Sequence, residues 1–205
     1  MSADQSVAIV DDDDFFRKAL ERVFHSAGFR TESFAAAEAF LASYIPKDEA
    51  CIILDLRMPR LGGLELLDRL KERGIDVPVI IYTGNADVPV TVQAMQAGAY
   101  AVVEKPLSSE LLITRVRAAI TDARARRTRR NQSASARAKL KLLTEREIEV
   151  ARHLTEGLSS PEMADLLGIS PRTVDAHRAN LLRKLEIRSI AALARLFVLT
   201  ELGDS

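Results

Sequence analysis

The sequence predicts two domains: an α/β doubly wound domain built on a five-stranded parallel sheet, followed by a small all-α domain. Three observations carry this. Up to about residue 125, five short apolar runs alternate with stretches of helical period, the pattern of successive βα units. From Thr144 onward the pattern is helical throughout. The charge also divides: residues 1–122 hold 13 Lys and Arg against 19 Asp and Glu, and residues 123–205 hold 16 against 10. A formally neutral chain is thus an acidic part joined to a basic one, and the basic part points to a polyanionic partner, nucleic acid first.

The strand runs are VAIV (7–10), a weaker RTESF (30–34), CIILDL (51–56), VPVIIYT (77–83) and AYAVVEKP (99–106). Helical stretches lie near 15–26, 35–43, 63–72, 88–97 and 108–125. Residues 123–139, containing the arginine-rich RARRTRRNQSASARAK, read as a linker or as a solvated extension of the preceding helix. The five arginines of 124–130 have three open readings: contact with DNA, docking on the acidic domain, or plain solvation. In TERE (144–147), Thr144 and Glu147 form a capping box. Helices follow over 160–167, 171–185 and 189–202, with Ser160 and Ser170 as expected N-caps and Gly168 ending the first of them. The boundaries expected are 1–122 for the first domain and 140–205 for the last.

Composition narrows the function. No apolar run approaches the ~18 residues that span a bilayer, the opening MSADQS has no secretory pattern, and the lone Cys51 excludes an internal disulfide. A cytoplasmic protein without membrane association is expected, with Cys51 as a small buried hydrophobe.

Ligands of an open parallel sheet gather at the carboxyl ends of its strands. Strand one ends at Asp11 and Asp12, strand three at Asp55, strand four at Thr83 and strand five at Lys105. Three carboxylates, a hydroxyl and an ammonium are therefore expected on one edge. Hard oxygen donors with open positions suit Mg²⁺, while Asp13 and Asp14 fall where the dipole of the first helix favours negative charge. Between Asp87 and Glu104 the chain carries no charge, which leaves the fourth helix without the charged outer face of a surface helix.

The motifs IVDD, DLRMP, TG and EKP, in this order and spacing, resemble the receiver domain of two-component response regulators, and ADVPVTVQAMQAGA is similar to the FixJ subfamily. The resemblance implies a CheY-like receiver with Asp55 as phospho-acceptor and Thr83 and Lys105 as its catalytic partners. It implies a Mg²⁺ site of Asp11, Asp12, Asp55 and the main-chain carbonyl of Arg57, and a cis peptide between Lys105 and Pro106. It implies a sensor histidine kinase as donor, dimerisation on phosphorylation, and no catalysis beyond Mg²⁺-dependent phosphoryl acceptance and autodephosphorylation. Arg57 and Asn85 sit where they can adjust water access to the phosphate. One departure stands out: Val102 occupies the place of the aromatic switch residue, and Tyr100 is expected on the same side of the strand.

SPEMADLLGISPRTVDAHRANLLRKL (160–185) reads as helix, tight turn, helix. Val174, Leu181, Leu182 and Leu185 form its inner stripe, and Arg172, Asp175, Ala176, Ala179 and Arg183 an outer edge. The string resembles the LuxR-type helix-turn-helix. That resemblance implies double-stranded promoter DNA as partner, with RNA polymerase a further one, and makes Arg172, Thr173, His177, Arg178, Asn180 and Lys184 candidates for backbone or groove contacts. Asp175 and Ala176 are candidates for base readout. A phosphohydrolase of the haloacid dehalogenase type competes for the aspartyl-phosphate chemistry, but its second aspartate, two residues after the nucleophile, is here Arg57. A phosphorelay shuttle would need no helix-turn-helix.

Overall fold

The apolar run at the head of the chain forms β1 (Ser6–Val10), buried at every position, in a computed structural model that describes residues 5–84 and 86–201. Continuous burial is what a strand covered by helices on both faces requires. The same holds for β3 (Ala50–Leu54) and β4 (Val79–Thr83); β2 (Arg30–Phe34) and β5 (Ala101–Glu104) are more exposed and form the edges. The sheet is parallel throughout, in the order β2-β1-β3-β4-β5. The chain reverses its direction of winding between β1 and β3, where Val10 lies opposite Leu54 and Leu54 opposite Ile81. This register brings the residues that follow β1, β3 and β4 out along one edge.

Helices α1 (Asp14–Ser26), α2 (Ala37–Ser43), α3 (Gly63–Glu72), α4 (Val88–Gln96) and α5 (Ser109–Leu140) complete the crossovers. Phe40, Leu66 and Ala94 pack on one face of the sheet, and Leu20, Phe24, Leu112, Val116 and Ile120 on the other, together with the fully buried Cys51. Val102 packs on the first face but Tyr100 on the second, its hydroxyl 2.6 Å from Asp122 Oδ2. The expectation that the two share a side is corrected. Strand alternation does not extend to Tyr100, which precedes β5 and enters the ladder through its N–H to Val79 O.

The chain divides into two compact units between Ala125 and Arg126. Residues 126–140 are helical, as part of α5, yet they are not solvated all round. Ser133 and Ala136 are buried, and Arg137 donates to the carbonyl of Thr200 at 3.2 Å. Small side chains at 133 and 136 let this stretch be covered, a signal that its polar composition hides.

The second unit continues with α6 (Glu145–Glu156), α7 (Ser160–Leu167), α8 (Pro171–Leu185) and α9 (Ile190–Glu201) around Val150, Leu154, Met163, Val174, Leu181, Leu185 and Leu193. The Thr144 capping box forms as expected, and Gly168 ends α7 in the left-handed region at φ 64°. Ser170 caps α8. For α7 the cap is Ser159, not Ser160: the Glu162 carboxylate accepts from Ser159 N–H (2.8 Å) and Oγ (2.6 Å). The S/T-x-x-E spacing of a capping box selects Ser159, and Ser160 is left in the first turn.

Candidate functional site

The four acids after β1 separate by role. Asp11 is 3% exposed and turns into the sheet edge; Asp12 is exposed beside it. Asp13 caps α1, accepting the N–H groups of Phe15 (2.9 Å) and Phe16 (3.2 Å), and Asp14 pairs with Arg17 (2.5 Å) and Lys18 (2.6 Å). The quartet is tolerable because helix dipole, cations and N–H donors disperse its charge.

Asp55, 6% exposed, follows β3. The Lys105 ammonium bridges it to Asp11: Nζ lies 2.6 Å from Asp11 Oδ2 and 3.1 Å from Asp55 Oδ1. The remaining oxygens are also engaged, Asp55 Oδ2 by the N–H of Arg57 (2.8 Å) and Asp11 Oδ1 by that of Asp13 (2.9 Å). Burial raises the Asp55 carboxyl above its usual range; the Lys105 charge works against this and Asp11 works with it. Burial alone would lower the Lys105 ammonium, but the hydrogen bond to Asp11 and the charges of both acids outweigh it and hold its pKa above the ordinary lysine value. Two rings border the same ammonium, Phe16 with its centroid at 4.8 Å and Tyr82 at 5.6 Å.

Thr83 ends β4. It is 1% exposed and its hydroxyl has no hydrogen-bond partner among the described residues, although its carbonyl accepts the N–H of Lys105 at 2.8 Å. A cavity of about 320 Å³ lies beside it, lined by Arg57, Gly62, Leu64, Glu65 and Val90 among others. The Lys105–Pro106 peptide is cis, as the resemblance implies.

Two buried carboxylates sharing one ammonium keep a net negative charge, and the exposed Asp12 adds to it. Among the described residues no three His, Cys, Asp or Glu side chains are gathered as a ready cage. An ion that accepts few protein oxygens and keeps its waters fits this donor set, and Mg²⁺ is such an ion.

In the second unit Val174, Leu181 and Leu185 of α8 are buried and Leu182 is half-buried, while Arg172, Thr173, Asp175, Ala176, Ala179 and Arg183 are exposed. His177, Arg178 and Asn180 lie at the margin, half-buried. Asp175 is held across the turn by Ser160 Oγ at 2.7 Å, and Asn180 Oδ1 accepts from Arg183 at 3.0 Å. Lys184 points toward α6, where its Nζ meets the buried Glu147 at 2.6 Å.

A family model described as the response regulator receiver domain matches residues 7–117, and one for bacterial regulatory proteins of the luxR family matches 141–197. The chain belongs to the response regulator family. Over 193 residues the regulator is 37% identical to the transcriptional regulatory protein FixJ of Azorhizobium caulinodans, spanning 94% of this chain and 92% of that one. It is 39% identical over 193 residues to the C4-dicarboxylate transport transcriptional regulatory protein DctR of Rhodobacter capsulatus, spanning 93% and 98%. Among solved structures it is similar to the response regulator StyR (TM-score 0.79, 35% identity, 95% of this chain and 98% of that one) and to full-length FixJ from B. japonicum (0.62, 33%, 98% and 99%). Receiver plus LuxR-type domain makes the chain a phosphorylation-dependent transcription regulator.

Asp11, Asp55, Thr83, Lys105 and the main chain of Arg57 come together at one edge of the regulator's sheet; Asn85 lies outside the described residues. Two residues of this edge escaped sequence reasoning. A Cβ on Gly63 would collide with the Asp55 carbonyl oxygen and stand 2.8 Å from Leu56 Cα, so only glycine lets α3 start this close behind Asp55. The GG pair at 62–63 was the available signal. Phe16 is the other, and no spacing rule pairs it with Lys105.

Proposed function

We propose that the regulator takes a phosphoryl group from the phosphohistidine of a sensor histidine kinase onto Asp55, dimerises through α4 and β5, and in that state binds double-stranded promoter DNA through α8. The observation that carries this reading is the buried Thr83 hydroxyl, without a partner among the described residues, at the same sheet edge as the Asp55–Lys105 pair. It is a donor held ready for an acceptor that arrives with the phosphoryl group.

As the P–N bond of the donor breaks, its electron pair stays on the imidazole and a P–O bond forms to the Asp55 carboxylate. The product adds negative charge and strong acceptor oxygens. Lys105 can hold one of them, and Thr83 can turn its hydroxyl to another. Asp11, Asp12, Asp55 and the carbonyl of Arg57 would hold Mg²⁺, which when bound neutralises charge on the transferred oxygens. Autodephosphorylation is the same site's reaction with water, and the exposed Arg57 stands at its mouth.

Val88, Val92 and Met95 line α4 at helical spacing and are 76%, 47% and 48% exposed. With no charge between Asp87 and Glu104, this stripe supports a dimer surface. On α8, Arg172, Thr173, His177, Arg178, Asn180 and Lys184 would contact backbone or groove, the last only by releasing Glu147. Asp175 would accept from a cytosine amino group and Ala176 permit close approach. RNA polymerase would meet the complex at the promoter. No helix among the described residues is long and apolar enough to cross a membrane, and the work proposed is cytoplasmic.

Sedimentation with beryllofluoride, a phosphoryl mimic, tests the coupling. The whole chain is expected to shift from monomer to dimer and to bind promoter fragments more tightly. Val92→Asp should abolish the shift; an intact shift in that variant would place the interface elsewhere.

A further inference from the structure

Lys105 is fixed from four directions: by Asp11 and Asp55 at hydrogen-bond distance, and by the rings of Phe16 and Tyr82. Tyr82 is a core residue of β4, 4% exposed. Phe16 is different. It is half-buried in the first turn of α1, and among the described residues it belongs to neither hydrophobic cluster that flanks the sheet. Its place is nonetheless set, by the hydrogen bond from its N–H to the Asp13 cap and by the Phe15 ring meeting it edge-on at 6.2 Å. A core-packing role does not account for such a ring. An ammonium 4.8 Å from its centroid does, because an aromatic face attracts a cation, and more strongly where water is displaced.

We propose that Phe16 is a positioning residue for phosphoryl uptake: its ring keeps the Lys105 ammonium between Asp11 and Asp55, so that the charge is in place before the phosphoryl oxygens arrive. The inference rests on the reading of Asp55 as acceptor. A lysine side chain is long and flexible, and aiming it removes rotamer freedom. The two carboxylates draw Nζ from the sheet edge, and arrival of a phosphoryl group changes what both can offer. The ring does not change. It forms and breaks no bond, yet it attracts the ammonium before, during and after transfer, and preorganised charge of this kind lowers the barrier without needing to reorganise.

Fluorination at constant ring shape separates attraction from packing. Phe16 in the full chain is replaced site-specifically by mono-, di- and trifluorophenylalanine, and the rate of phosphoryl uptake from acetyl phosphate is followed in saturating MgCl2. The rate should fall stepwise as the ring loses its negative face, by about 3- to 10-fold across the series. Phe16→Tyr should retain most of the rate and Phe16→Leu should fall about as far as the trifluoro ring. A readout independent of activity accompanies this: without metal or donor, the Lys105 ε-methylene protons should be shifted upfield by the ring current and return to ordinary values in Phe16→Leu. A flat rate across the series, with normal uptake at Asp55, would overturn the inference and leave the acceptor assignment standing. Absence of uptake by the unmodified chain would overturn the acceptor assignment itself.

Discussion

Thr83 keeps a buried hydroxyl without a partner among the described residues, an arrangement that costs about 1–3 kcal/mol. Replacing the hydroxyl by a methyl of similar shape removes that cost, so Thr83→Val should make the unphosphorylated protein about 1–3 kcal/mol more stable. The same variant should lose the dimer shift on beryllofluoride, and sedimentation beside thermal unfolding reads both effects. Asp55 makes a related prediction with pH. Its pKa is raised in the fold, mainly by burial, so the folded state binds this proton more tightly than the unfolded one. Its contribution to stability therefore falls as pH rises from the usual carboxylate value through the higher folded value. Metal-free Asp55→Asn should melt above wild type at pH 7, the gap closing as pH drops through that window. These residues were legible in sequence because each ends a strand and one rule gathers strand ends. Phe16 was not, since its ring meets the ammonium only where the Lys105 side chain, after β5, reaches the first turn of α1. Gly63 needed the actual approach of α3 to the Asp55 main chain.

Among the elements, α6 carries a buried and paired carboxylate in its first turn. Glu147 is 3% exposed and accepts from Thr144 N–H at 2.8 Å, Thr144 Oγ1 at 3.0 Å and Lys184 Nζ at 2.6 Å. Burial works to raise its pKa, but the hydrogen bonds and the charge of Lys184 prevail and lower it. A depressed carboxylate stabilises the fold above its unfolded pKa, and that stability is lost as pH falls through the folded value. Glutamine can still close the capping box, so Glu147→Gln isolates the charge. At neutral pH it should cost about 1–3 kcal/mol, read from hydrogen exchange of the α6 amides, and wild type and variant should converge in acid. The capping box was readable because its signature is local. The same signature recurs at 159–162, where Pro161 also suits a helix capped by Ser160, so two adjacent serines compete for the cap in sequence and the Glu162 spacing decides between them. The length of α5 was hidden for another reason: the Arg, Ser and Ala of 126–139 lack an apolar period, and burial of Ser133 and Ala136 depends on small size rather than hydrophobicity.

For the whole molecule, the opposite charges of the two parts and the two family matches fit the proposed signal path, from a phosphorylated carboxylate to a helix on DNA. Its energetics are bounded. Moving a two-state population from 1:99 to 99:1 takes about 5.5 kcal/mol of differential interaction. Hydrogen bonds to a charged group contribute about 1.5–3 kcal/mol each; the Thr83 hydroxyl would gain one in full on meeting a phosphoryl oxygen, whereas Lys105 would exchange carboxylate oxygens for phosphoryl ones, so the dimer surface would have to supply the rest. Every later step depends on Asp55 receiving the group. The whole chain, incubated with acetyl phosphate and Mg²⁺ and digested, should yield by mass spectrometry a single phosphoryl mass on the peptide containing Asp55, removable by hydroxylamine and lost in Asp55→Asn. An unmodified peptide at that position, or a phosphoryl group stable to hydroxylamine on another residue, would contradict the account.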